Sequence, residues 1–253
     1  MENEKLFQDS NPNYARFGWY VSIITTILTV ITFGIAMATP PLSGPFCTGS
    51  CFEYPFTDIA SRFPRDYYWM FPAIILSISY LIMMITIYHT IPGNKKLFGL
   101  MGVVFAIMAS LILIVDYFIQ VSVIQPSILS GEYDGISLLT QFNPHGIFIV
   151  LEEIGFLFMI ISFFVLFPVF SGASSLEKGI KWIVIIGLLL AIVSFTLVLI
   201  MHGIQREYRF EIIIISITWL ELILFSFLLS RFFKTKYSAA DNKNHNTQQQ
   251  SVF

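Results

Sequence analysis

The stretch "NPHGIFIVLEEIGFLFMIISFFVLFPVF", residues 143–170, carries two adjacent glutamates, Glu152 and Glu153, followed by 17 residues without a charge. An apolar run of about 20 residues crosses a hydrocarbon core of roughly 30 Å as a helix. A membrane strand needs only about ten residues of alternating character. The stretch therefore reads as a transmembrane helix. That reading decides the fold class, and it leaves two carboxylates in a segment that lipid should surround.

Comparable runs recur along the chain, giving six spans at about 18–38, 69–90, 98–122, 145–170, 181–201 and 211–232. The composition agrees, because only 12% of the 253 residues are charged and 56% are hydrophobic. A soluble domain carries about a quarter charged residues. The fold class is all-α: a polytopic integral membrane protein built as a six-helix transmembrane bundle. Helices suit that environment because they satisfy their own backbone groups. The net charge of −2 supplies no basic face for nucleic acid, so the partner expected from composition is the lipid bilayer.

Lysine and arginine placement orients the bundle. With the N-terminus inside, ten of the 14 fall on the cytoplasmic face: Lys5, Arg16, Lys95, Lys96, Lys178, Lys181, Arg231, Lys234, Lys236 and Lys243. Arg62, Arg65, Arg206 and Arg209 fall on the other. Both termini are expected in the cytoplasm. The expected organisation is a cytoplasmic segment 1–17, a transmembrane domain 18–232 and a disordered cytoplasmic tail 233–253. Ala36-Met37-Ala38 resembles a signal-peptidase site. The long polar segment before the first apolar run, with Glu2, Glu4 and Asp9, argues instead for an uncleaved first helix. A division into inverted halves, common in transporters, finds little support, because Asp116 and Glu221 do not occupy mirrored depths.

Two connections on the outer side are long. The first, 39–68, is rich in proline and aromatics, so it cannot form a long helix and suits the headgroup layer. Its Cys47 and Cys51, the only cysteines, are expected to form a disulfide closing a single turn. Such a bond needs an oxidising exterior, which points to the plasma membrane. The second, around "SGEYDGISLL", residues 130–139, is expected to form short amphipathic pieces that dip toward the bundle.

Ionisable residues at bilayer depth cost at least ~2.5–3.5 kcal/mol and normally face the bundle interior. Asp116, Glu152, Glu153 and Glu221 qualify, and the one lysine or arginine in their spans is Arg231, at the far inner end of the sixth. With Asn143 as N-cap and Pro144 at the first helical position, His145 and Glu152 lie seven residues apart on nearly one face. Gln120 shares a face with Asp116. Glu153 is turned about 100° from Glu152 and should meet a different neighbour or the flank of the same cavity. The hydroxyls of Ser22, Thr25, Thr26, Thr29 and Thr32 either line a cavity or bond their own carbonyls. His202 and Glu211 are candidates for a rim pair.

The candidate ligand- or ion-binding set is thus Asp116, Gln120, His145, Glu152, Glu153 and Glu221. His145, Glu152 and Asp116 would be the ligands of any metal, although no H-E-x-x-H motif is present. Three functions compete. One is a pocket in the outer half of the bilayer that binds a proton, metal ion or small cationic or amphiphilic ligand, with transport as its extension. Another is intramembrane acid/base chemistry on a lipid or isoprenoid. The third is a structural subunit whose acids are hydrogen-bonded glue. No cofactor is indicated.

Overall fold

Leucine, isoleucine, valine and phenylalanine dominate six segments that lack interior proline, apart from Pro72 in the first turn of one. Proline in a first turn costs no intrahelical hydrogen bond. The computed structural model describes residues 12–170 and 172–250, with side chains for 13–170 and 172–238. The eight helices among them are α1 (Pro12–Ala38), α2 (Met70–Thr90), α3 (Lys96–Ile119), α4 (Gln125–Leu129), α5 (Ile136–Leu139), α6 (Ile147–Phe164), α7 (Ser175–His202) and α8 (Tyr208–Gln250). Six of these, α1, α2, α3, α6, α7 and α8, are long and apolar enough to span a membrane.

Their packing forms a ring. Helix α1 packs against α2 and α8, α2 against α3, α3 against α6, and α6 returns to α8. Helix α7 lies outside this ring against α8 and α6. Burial tells the same story: 56% of the apolar window of α6 is buried, against 22% for α7. The hydroxyl row on α1 resolves as backbone capping plus two interhelical bonds. Ser22, Thr25, Thr26, Thr29 and Thr32 donate to carbonyls four residues earlier. Thr25 also meets Ser79 of α2 at 2.8 Å, and Thr26 meets Ser226 of α8 at 2.7 Å. Such bonds contribute about 0.6 kcal/mol each in membranes.

Several predicted boundaries shift, each for a local reason. Helix α6 starts at Ile147, not at Pro144. Asn143 does not cap the helix: its Oδ1 accepts the His145 amide at 2.9 Å and its Nδ2 donates to the Ser137 carbonyl at 2.6 Å. The side chain is spent on an Asx turn, and Gly146 is extended. The other end of α6 stops at Phe164, because a helical Pro168 would offer no N–H to the Phe164 carbonyl and would clash with it. Helix α1 begins six residues earlier than expected, with Pro12 at its start. The tail expected to be disordered continues α8 to Gln250, and no proline or glycine follows Gly203 to stop it. The first eleven residues of the N-terminal segment, with Lys5, and residues 251–253 lie outside the described residues.

The two long connections gather at one end of the bundle. Residues 39–69 form only short 3-10 turns, Gly44–Phe46, Thr57–Arg62 and Arg65–Tyr67, consistent with their prolines. Phe56, Ile59 and Tyr67 are buried beneath them, so the segment folds onto the bundle. Cys47 and Cys51 form a disulfide with Cα atoms 5.9 Å apart. After α3 a π-helical turn, Gln120–Ile124, leads into α4. Ile128 and Ile136 turn inward from α4 and α5, while Leu129 and Leu138 stay exposed.

Candidate functional site

Aromatic side chains from four parts of the chain meet at the disulfide end of the ring. Trp219 of α8 stands at their centre, edge-on to Phe33 of α1, to Trp69 just before α2 and to Phe156 of α6, with centroids 5.5–6.3 Å apart. Trp69 stacks edge-on against Tyr117 of α3 at 5.1 Å. Above Phe33, Trp69 and Trp219 opens a cavity of about 190 Å³. Phe142 and Phe148 complete its aromatic wall, while Met37, Ile212 and Ile215 line the side toward the α1–α8 seam.

The charges in the cavity are all acidic. Glu152, Glu211 and Asp66 line it, and among the described residues no lysine, arginine or histidine does. Asp66 is held by Arg65, with Nε 2.7 Å from Oδ1. Glu152 is fully buried and receives the Tyr117 hydroxyl on Oε1 at 2.8 Å. Its Oε2 has no donor, and the buried Glu211 carboxyl lines the same cavity from α8. Two carboxyls sharing one buried cavity resist ionising together, and a bound proton or external cation relieves their repulsion.

Local geometry explains why these acids are tolerated. Glu211 sits in the first turn of α8, and Glu152 is five residues into α6, about 7.5 Å along its axis. The uncompensated N–H groups and positive dipole end of a helix favour a carboxylate in its first turn, as at Glu211, whereas Glu152 lies deeper and is held by the Tyr117 hydroxyl. The polar remainder is also fixed. Tyr208 donates to the Gln141 carbonyl at 2.9 Å and meets Ser43 at 2.8 Å, pinning the loops over the cavity.

No known protein family, characterised protein or solved structure matches this chain. The site is therefore read from its own chemistry.

Of the six sequence candidates, Glu152 is the one that lines the cavity. Asp116 is buried behind it on α3, next in sequence to the tyrosine that orients Glu152, with Oδ2 unpartnered. Gln120 is a brace: it donates to the Leu139 carbonyl at 2.6 Å and accepts the Gln141 amide at 2.9 Å. Glu153 does face a different neighbour, the guanidinium of Arg206, with which it forms an ion pair. That cation escapes a count of residues within the spans because it reaches in from the α7–α8 connection.

Glu221 lies apart, its carboxyl pressed against Gly187 of α7 and both oxygens unpartnered. His145 is exposed in the turn before α6, so the helical alignment with Glu152 lapses. Among the described residues no three or more His, Cys, Asp or Glu side chains are placed to hold a metal. Glu211 turns into the cavity, and no ion pair joins it to His202 among the described residues.

Sequence reasoning missed Asp66, Trp69, Tyr117 and Tyr208, and gave Glu211 the wrong partner. Asp66 and Trp69 were visible only as parts of an aromatic loop. The i to i+1 pair Asp116-Tyr117 was the one available signal for the tyrosine, since neighbours on a helix face different ways.

Proposed function

We propose that this multi-pass membrane protein binds a small organic cation in the cavity, with Glu152 and Glu211 as its anionic partners. The observation that carries this reading is that Glu152 and Glu211, buried on two helices, line one cavity in which no lining residue among the described residues is cationic. A structural role predicts a partner for every acid, yet Glu221 has none on either oxygen, and Glu152 and Asp116 each keep one oxygen unpartnered among the described residues. Aromatic faces favour an ammonium over a hydrated metal ion, at about 0.5–2 kcal/mol per cation–π contact. The volume suits a ring with a short chain, since a cavity of about 150 Å³ accepts benzene. The disulfide end is assigned to the exterior of a plasma membrane, which places both termini in the cytoplasm.

The test is calorimetric titration of the full chain in nanodiscs with phenethylammonium. Saturable binding is expected, weakened at least tenfold in Glu152→Gln and in Glu211→Gln. Equal affinity in wild type and both variants would refute the site.

A second reading, acid/base chemistry by Glu152 on a lipid-borne substrate, is favoured by the apolar rim of the cavity. It predicts a chemically altered ligand after incubation with wild type and an unaltered one with Glu152→Gln.

A further inference from the structure

The walls of the cavity differ. Toward α6 and the loops it is closed by buried groups: Phe142, Phe148, Glu152, Asp66 and Trp69. Along the rim between α1 and α8, four lining residues reach the surface. Met37 is 67% exposed and Ile212 39%, and Pro40 and Pro41 are exposed beside them. All four are apolar.

The surface that this rim joins is also apolar. Ile27, Val30 and Ile31 are exposed on α1, and Leu220 and Leu224 on α8, all within candidate membrane spans. Ser216 and Trp219 lie 8 and 11 residues into α8, about 12 and 17 Å along the axis from Tyr208. The cavity thus extends from the loop layer to a depth at which the seam faces hydrocarbon. A strongly hydrated ion would cross this apolar rim at a desolvation cost. A molecule with its tail already in lipid would not.

From this arrangement we infer that the ligand is a single-chain amphiphilic amine that enters from the bilayer between α1 and α8. Its ammonium sits between Glu152 and Glu211, its first carbons lie on Trp219 and Phe33, and its tail remains in the seam. The inference rests on the cation-binding reading above and adds the source and route of the ligand. The cavity volume limits what enters to the head and the start of one chain.

The experiment uses the full chain in phosphatidylcholine nanodiscs and dodecylammonium carrying a diazirine at the tail end. After irradiation, crosslinks are expected on residues 27–37 of α1 and 212–224 of α8. Excess phenethylammonium should reduce them at least tenfold, as should Glu152→Gln or Glu211→Gln. Each variant is checked for native helical content by circular dichroism, and either suffices. Crosslinks confined to residues 39–68 or 130–146, or insensitive to competitor and variants, would overturn lateral entry. The two readings fail separately. Phenethylammonium that binds wild type without competed seam crosslinks removes only the amphiphile and its route. Phenethylammonium that does not bind removes the cation site and this inference with it.

Discussion

The hydroxyl of Tyr117 holds Oε1 of Glu152 against α3 and leaves Oε2 without a donor toward the cavity. Glu152 could be singled out in the sequence because a carboxylate in an apolar run is conspicuous by itself. Glu211 was less so, since it begins a span and resembles an ordinary interfacial acid. Its role depends on the α6–α8 contact, which no local pattern reports. Tyr117 hid for the same reason, as one aromatic among the 26 phenylalanines and 11 tyrosines of the chain. If Tyr117 positions the carboxylate, Tyr117→Phe removes a hydrogen bond to a charged group, worth about 1.5–3 kcal/mol. Phenethylammonium affinity should fall about tenfold by calorimetry while the helical content stays native. Undiminished affinity would show that Glu152 is held by packing alone.

Helix existence was legible throughout, because apolar length is a property of each segment alone. Helix ends were legible only where no side chain had a competing use. At "NPHG" Asn143 had such a use, and α6 starts three residues after the predicted first position. Helix approach has a comparable local signature in glycine. The Leu113 side chain of α3 fills the space beside Gly155, so that a Cβ there would lie 2.7 Å from it. Gly187 does the same for α7, where it admits the Glu221 carboxyl. The contact is too close for any side chain at 187. Gly187→Ala should therefore lower stability by about 1–3 kcal/mol through overpacking, read as a drop in melting temperature in detergent. Adding Glu221→Ala should recover part of that loss by making room. A neutral Gly187→Ala, or no recovery in the double variant, would mean that α7 is free to shift away from α8.

At the scale of the molecule, five helices close a ring and α7 stays outside it. This asymmetry bears on the missing inverted repeat: pairing the first three spans with the last three would match α2, within the ring, to α7, outside it. Six crossings place both chain ends at the end of the bundle opposite the disulfide. That end gathers Arg16, Lys95, Lys96, Lys178, Lys181, Arg231, Lys234 and Lys236, while Arg62, Arg65, Arg206 and Arg209 lie at the other. Of those four, Arg65, Arg206 and Arg209 are paired with Asp66, Glu153 and Glu207, which reduces the positive charge on offer there. On the positive-inside rule we propose that the basic end faces the cytoplasm. Single cysteines placed in a Cys47→Ser, Cys51→Ser background test this directly. Glu132 and Asn94 are exposed in connections at opposite ends. On intact cells an impermeant maleimide should label Glu132→Cys at once, and Asn94→Cys only after permeabilisation. The reverse pattern would turn the bundle over, and the cavity would then face the cytoplasmic leaflet as the source of its ligand.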